Sequence, residues 1–519
     1  MHSTRVVTRG ASTADAQRMI MIGALAFLVL AAGVVAITDA GGSGQQPASS
    51  LPVRVRQPAA GVTVLPGSPA AASAELARLL FARAPAVVVA NAASAADVAA
   101  GAAAARRDHA PLLLSPARRS APDVRAVRAA IRSLRPAAVL AAGLPATALA
   151  AELPGARVVT SAADLPVTEA AVSVRSVAVL LPAAPRTAPA LALAIATTAK
   201  AAGARLIGMA GDDPRTDPAA IAALAAAKPR SVLGVGAGLG TTSLLAARVA
   251  VAETGEQLPG GGQVLFPGHE VVALYGAPAY PALGALGQQD LQASIARAKA
   301  VAAQYSTLSG VPVVPAFEII ATVASASPGP DGMYSQVFSP AELRPWVEAA
   351  SQAGLYVTLD LQPGRASFLA QAQLYQSLLE LPNVGLALDP EWQLEPGQLP
   401  LQQIGSVSTT EVNAVANWLA GLAAAHHLPQ KLLELHEFRL SMIQDIQQLD
   451  TGYDNLAIVI NMDGQGTPGD KRQSWQAVVT GAPKGVFFGW KDFYVTDTPM
   501  LGPPQTLDHD PTPVLISYE

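Results

Sequence analysis

Eight short apolar runs recur across residues 259–519, and most gaps between them carry a helical pattern. The runs fall at residues 271–276, 313–321, 355–361, 384–390, 432–438, 456–462, 485–490 and 513–518. Helices are expected at 289–305, 340–353, 366–381, 410–426, 440–449 and 471–478, while the Pro-rich gap at 491–512 shows none. Apolar runs of this length, bounded by turn residues, fit strands buried on both faces. Such strands need helical cover, and eight of them in sequence fit a closed (β/α)8 barrel. An open doubly wound sheet is the alternative.

Residues 51–255 repeat the alternation on a smaller scale. Strands are expected at 86–90, 111–115 and 137–142, and again at 177–181, 205–209 and 231–236, with Ala-rich helices between them. This pattern implies parallel α/β units. The expected organisation is an N-terminal segment at 1–40, a linker at 41–58, α/β units at 59–170 and 171–258, and the barrel at 259–519. The sequence LPGGGQ at 258–263 marks the last boundary. The fold class is therefore α/β throughout.

Residues 19–37, MIMIGALAFLVLAAGVVAI, carry no charge. At ~1.5 Å per residue this run reaches roughly 28 Å, close to the ~30 Å hydrocarbon core of a bilayer. Arg5, Arg9 and Arg18 precede it and Asp39 follows, which places residues 1–18 inside and the bulk outside. The expectation is a single-pass cell-membrane protein with an extracytoplasmic bulk. Secretion after signal cleavage is the alternative, although Thr38-Asp39-Ala40 is a poor cleavage site.

A net charge of −4 leaves no electrostatic footprint for nucleic acid. The absence of Cys excludes disulfides, thiolate metal sites and Cys nucleophiles. No cofactor is expected. GVGAGLG at 234–240 follows a strand and precedes a helix, but Leu239 stands where a dinucleotide fingerprint needs its third glycine. A tight turn accounts for these glycines.

In a barrel the chemistry sits at the C-terminal ends of the strands, and here those ends carry acids. Strand 2 contains Glu318, and strand 3 ends in Asp360. Strand 4 ends in Asp389 and Glu391, which share a face if the chain stays extended. Strand 5 carries Glu434, His436 and Glu437; strand 6 ends in Asn461 and Asp463; strand 7 ends in Trp490 and Lys491. Glycosidic cleavage needs one protonated acid beside one carboxylate, and neighbouring negative charge keeps an acid protonated. Glu391 is the expected acid, tuned by Asp389, with Asp360 or Asp463 as the second carboxylate. His436, Glu318, Trp392, Trp490 and Tyr275 are the expected substrate-binding residues. Tyr334, Phe493 and Tyr494 offer further stacking faces, and long loops at 325–339 and 395–408 are expected to wall the cleft. Asp, Glu, His and Asn can ligate Zn or Mn, but no H-x-H or H-x-x-x-H pair stands at a strand end, so a metal site ranks below the glycosidase and no metal is assigned.

Two stretches resemble known families. VVVANAASAADVAAGAAAA, HAPLLLSP and AAVLAAGLPATALAAEL, between residues 87 and 153, resemble the type 2 cell-wall-binding repeat of high-GC Gram-positive and related bacteria. Asp97 stands where the repeat has its Asp, and its glycine pair is reduced to Ala142-Gly143. Asp389 and Glu391 resemble the Asp-x-Glu element of chitinase-like and muramidase-like barrel glycosidases. The longer acidic run of the chitinase-like motif and the strand 1 Asp of the muramidase type are missing here. As a whole the chain resembles exported cell-wall-binding-repeat proteins with a glycoside-hydrolase-like barrel. The resemblance implies an envelope location and a cell-wall polysaccharide or peptidoglycan partner. It implies either a hydrolase or a non-catalytic wall-binding protein with a degenerate barrel.

Overall fold

The computed structural model describes residues 50–115, 120–153, 155–170, 173–184 and 186–519. The apolar segment at 19–37 lies outside the described residues. Among those described, no helix is long and apolar enough to cross a membrane.

All eight expected barrel strands form. They are Glu270–Gly276, Val313–Ala324, Tyr356–Leu361, Val384–Leu388, Lys431–His436, Leu456–Met462, Phe487–Asp492 and Leu515–Tyr518, called barrel strands 1 to 8. Each pairs in parallel with its neighbours in chain order, and strand 1 pairs with both strand 2 and strand 8. The sheet is therefore a closed eight-stranded parallel barrel. Two expectations about its cover fail. Residues 440–449 hold a two-residue strand, Ile443–Gln444, and a short turn at Ile446–Gln448 in place of a helix, and Asp445 between them adopts a left-handed backbone (φ 56°). The gap at 491–512 contains a five-residue helix, Pro503–Leu507, which two prolines open.

Side chains alternate across each strand, and this parity divides the barrel interior into two zones. Near the N-terminal ends, Val271, Val314, Ala316, Tyr356, Leu432, Val459 and Leu515 form an apolar plug. Farther along the same faces stand Tyr275, Glu318, Asp360, Glu434, His436, Asn461, Lys491 and Ser517, none more than 3% exposed. Gly489 leaves space in this polar layer, since a Cβ there would lie 3.0 Å from Asn461 Oδ1. Outward positions such as Leu274, Phe317, Leu388, Leu435, Ile460 and Trp490 pack in the core shared with the helices.

The α/β region builds two parallel four-stranded sheets. One has the order Leu112–Leu114, Ala86–Ala90, Ala138–Ala142, Val158–Val159. The other has the order Arg205–Met209, Val177–Pro182, Ser231–Gly234, Gly61–Val64. The strand at Gly61–Val64 corrects the expected division at 170/171. It precedes the first unit in sequence yet completes the sheet of the second. The units also share one core. Helix Pro189–Ala202 of the second packs on helices Pro69–Leu80 and Ala95–Arg107 of the first. Thr198 Oγ1 on that helix accepts from the Leu112 N–H at 3.0 Å and so covers an edge strand. The described part of the expected linker is ordered too: Leu51–Pro52 pairs with Thr168–Glu169, and Arg54–Val55 with Phe81–Arg83.

Gly143 takes a left-handed backbone (φ +68°) directly against Asp97, where a Cβ would fall 1.9 Å from Asp97 Oδ2. Asp97 and Gly143, from two of the segments compared with the repeat, thus form one contact. The α/β region joins the barrel through ion pairs. Arg215 Nη2 lies 2.7 Å from Asp213 Oδ2 and 2.8 Å from Asp454 Oδ2, and Arg248 Nη2 lies 2.6 Å from Asp454 Oδ1.

Candidate active site

The polar layer is organised around His436. Its Nε2 lies 2.9 Å from Glu318 Oε1 and 3.2 Å from Glu434 Oε1. Its Nδ1 faces Asp463 Oδ2 at 3.3 Å and Asp389 Oδ1 at 3.8 Å. Burial alone would lower the imidazole pKa, but the four surrounding carboxylates outweigh it and hold the ring well above its usual range. Asn461 Nδ2 donates to Glu434 Oε1 at 2.6 Å. Tyr275 donates its hydroxyl to Asp360 Oδ2 at 2.9 Å and accepts from Gln362 Nε2 at 3.2 Å. Lys491 Nζ stands 3.2 Å above the Tyr275 ring and 3.2 Å from Glu519 Oε2. Burial opposes its charge, yet Glu519, Glu318, Asp463 and Asp389 raise its pKa.

Above this layer, one oxygen from each of Asp389, Glu391 and Asp463 lies within 4.8 Å of the other two. They line a cavity of about 750 Å³ at the barrel mouth, together with Trp392, Phe438, Lys491 and Phe493. Both expected loops reach it, through Ala326 on one side and Pro400, Leu401 and Ile404 on the other. Strand 4 ends at Leu388, and Pro390 then opens a short helical turn, Pro390–Trp392. The extended geometry expected for Asp389 and Glu391 therefore does not occur; the turn brings the two carboxylates together instead.

Burial, and next the charges of Asp389 and Asp463, push the Glu391 carboxyl up to about 9. Burial is likewise the largest cause raising Asp360, Asp389 and Glu434. Glu437, beyond the end of strand 5, is pushed up to about 8 by burial and then by Asp463. The mouth thus holds an acid with a raised pKa beside further carboxyl groups on the cavity wall.

No protein-family model matches the chain, and neither a curated protein nor a solved structure matches it. The site is accordingly read from its own chemistry.

Of the expected residues, Glu391, Asp389, Asp463, Trp392 and Tyr275 line the cavity. Asp360, His436 and Glu318 are fully buried beneath it and support the residues above. Trp490 is misplaced by the expectation. Parity turns it outward, where its indole donates to Asp492 Oδ1 at 2.7 Å and packs on His509 with ring centroids 4.1 Å apart. Lys491, the neighbour that does face inward, was not assigned a site role. Counting alternate positions from the strand's inward glycine, Gly489, would have chosen it. Tyr494 stacks on Tyr518, and Tyr334 lies under the Arg365 guanidinium; neither lines the cavity. Gln362, Phe438 and Glu519 line it without any signal beyond proximity to a strand end.

Proposed function

We propose that the barrel mouth hydrolyses a glycosidic bond in a cell-wall glycan, with Glu391 as the acid and Asp463 as the opposing carboxylate. The observation that carries this reading is the Glu391 carboxyl, held protonated to about 9 and within 4.8 Å of Asp463 and Asp389 on an open cavity wall. A protonated carboxyl can deliver its proton to the leaving oxygen, while an adjacent carboxylate stabilises or captures the oxocarbenium-like sugar. This spacing is nearer the ~5–5.5 Å carboxyl separation of retaining enzymes than the ~6.5–9.5 Å of inverting ones. Trp392, Phe438 and Phe493 supply faces for the apolar sides of sugar rings. Asp389 and Asp360 serve as tuning and supporting groups beneath the reacting atoms.

The envelope setting belongs to the same proposal: the apolar segment at 19–37 anchors the chain, and the α/β units hold wall polymer. The test is release of soluble sugar from purified wall polysaccharide or peptidoglycan by the full chain and by Glu391→Gln. Loss of a general acid should slow release by about 10²–10⁴-fold. Equal rates in the two proteins would reject the reading.

A further inference from the structure

The floor of the mouth holds buried oxygen that its own donors leave unpaired. Asp389 and Asp463 are 2% and 7% exposed, and Oδ1 of each has no hydrogen-bond partner. His436, fully buried, supplies an independent sign. Its Nε2 is occupied by Glu318 and Glu434, while Nδ1 has no hydrogen-bond partner and is aimed between Asp463 and Asp389. Buried polar atoms left in this condition call for an ion, a water or a catalytic partner.

We propose that Asp389, Glu391 and Asp463 form a binding site for Ca²⁺. Their ligand oxygens all lie within 4.8 Å of one another. At that limit an ion midway among the three oxygens would stand roughly 2.8 Å from each, so side-chain shifts of a few tenths of an ångström bring them to the ~2.3–2.6 Å Ca–O distance. Mg²⁺, with its ~2.0–2.1 Å bonds and strict octahedron, fits the span less well. An all-carboxylate set is hard and selects a hard cation over zinc or copper. The cavity admits the ion and the waters that complete its coordination. Two cations face the group: Lys491 is paired with Glu519 at 3.2 Å and His436 with Glu318 at 2.9 Å, which limits their repulsion of a further positive charge.

One consequence rests on the hydrolase reading: a Ca²⁺ ligated by Glu391 removes the proton donor, so the ion slows hydrolysis. The site itself stands without that reading.

Tb³⁺ is a luminescent probe for such a site, and Trp392 lines the same cavity and can sensitise it. With the full chain, Tb³⁺ emission under tryptophan excitation should saturate and be displaced by Ca²⁺. Affinity should fall at least ~10-fold in Asp463→Asn and in Glu391→Gln, and stay unchanged in Glu395→Gln on the adjacent exposed loop. Glu391→Gln replaces a partly exposed side chain by an isostere, so it serves where Asp463→Asn fails to fold. Absence of saturable emission, or equal affinity in wild type and Glu391→Gln, overturns the site. A chain that releases sugar in EDTA but binds no Tb³⁺ rejects the cation site alone. A chain that binds Tb³⁺ but releases no sugar in EDTA rejects the hydrolase alone.

Discussion

His436 Nε2 lies 2.9 Å from Glu318 Oε1 inside the barrel, and neither side chain reaches solvent. The same ring nitrogen approaches Glu434, and the opposite one approaches Asp463 and Asp389. One imidazolium therefore balances carboxylates contributed by four strands or strand ends. Replacing it by an apolar group leaves buried negative charge facing buried negative charge, and breaking a buried pair costs ~3–5 kcal/mol. His436→Leu is expected to destabilise the chain by about that amount in urea unfolding. Adding Glu318→Gln should restore part of the loss, because the two residues share one interaction. An additive double mutant would show that the contact carries no coupling.

The direction of pH-dependent stability follows from the same layer. His436 has a raised folded pKa, so its contribution is complete below the unfolded value of ~6.5 and is lost as pH rises through the folded one. Asp360, Asp389, Glu391 and Glu434 also have raised folded values. The unfolded chain releases those protons near pH ~4 and the folded chain releases them at higher pH, so rising pH again favours unfolding. Lys431, lowered by burial to about 7, acts the other way, but only as pH rises above that value. The expected melting temperature is therefore higher at pH ~5 than at pH ~7. Calorimetry that finds it rising over this interval would contradict the protonation states described.

The catalytic pH profile is a separate readout of Glu391. An acid pushed up to about 9 remains able to donate across neutrality. The kcat/KM for glycan hydrolysis should hold through neutral pH and fall on an alkaline limb near 9. Asp463→Asn should lower the rate, and by removing one of the raising charges it should also move that limb to lower pH. A limb that stays in place would mean that Asp463 does not act on Glu391.

The barrel was legible because eight apolar runs of strand length need parallel pairing and helical cover, and closure satisfies both. What local pattern conveys poorly is parity and pairing across distance. Trp490 looked like a sugar platform by residue type, yet alternation sends it outward and Lys491 inward. Asp389 and Glu391 looked like neighbours on an extended strand, but Pro390 starts a helical turn one residue past the strand end. That the acids on strands 2 to 6 would come together was legible because acids are rare in this chain and cluster at strand ends. Their vertical order was not, because depth depends on barrel stagger, which no single strand encodes. Gly61–Val64 escaped notice for a related reason: it is a four-residue strand whose pairing partner, Ser231–Gly234, lies far along the chain.

The junction between the α/β region and the barrel yields the last prediction. Arg215 is 3% exposed and bridges Asp213 of its own unit to Asp454 of the barrel. Its Nη1 also donates to the Asp454 carbonyl at 3.3 Å, and Arg248 grips the same carboxylate. Burial raises the Asp454 pKa, but the two guanidiniums outweigh it and the net shift is downward. Its contribution is therefore present above the unfolded value of ~4 and is lost as pH falls through the folded one. Arg215→Met removes the buried cation and leaves Asp213 and Asp454 facing each other. Because the Asp454 side chain is 32% exposed, water screens part of the repulsion. The cost should lie between the ~1 kcal/mol of an exposed pair and the ~3–5 kcal/mol of a buried one. The loss should appear as separation of the two regions before global unfolding, since the strands of the barrel and of both sheets are untouched. Limited proteolysis should then cleave Arg215→Met faster than wild type near the 258–263 boundary. A single cooperative transition with unchanged cleavage there would show that this ion-pair network does not hold the regions together.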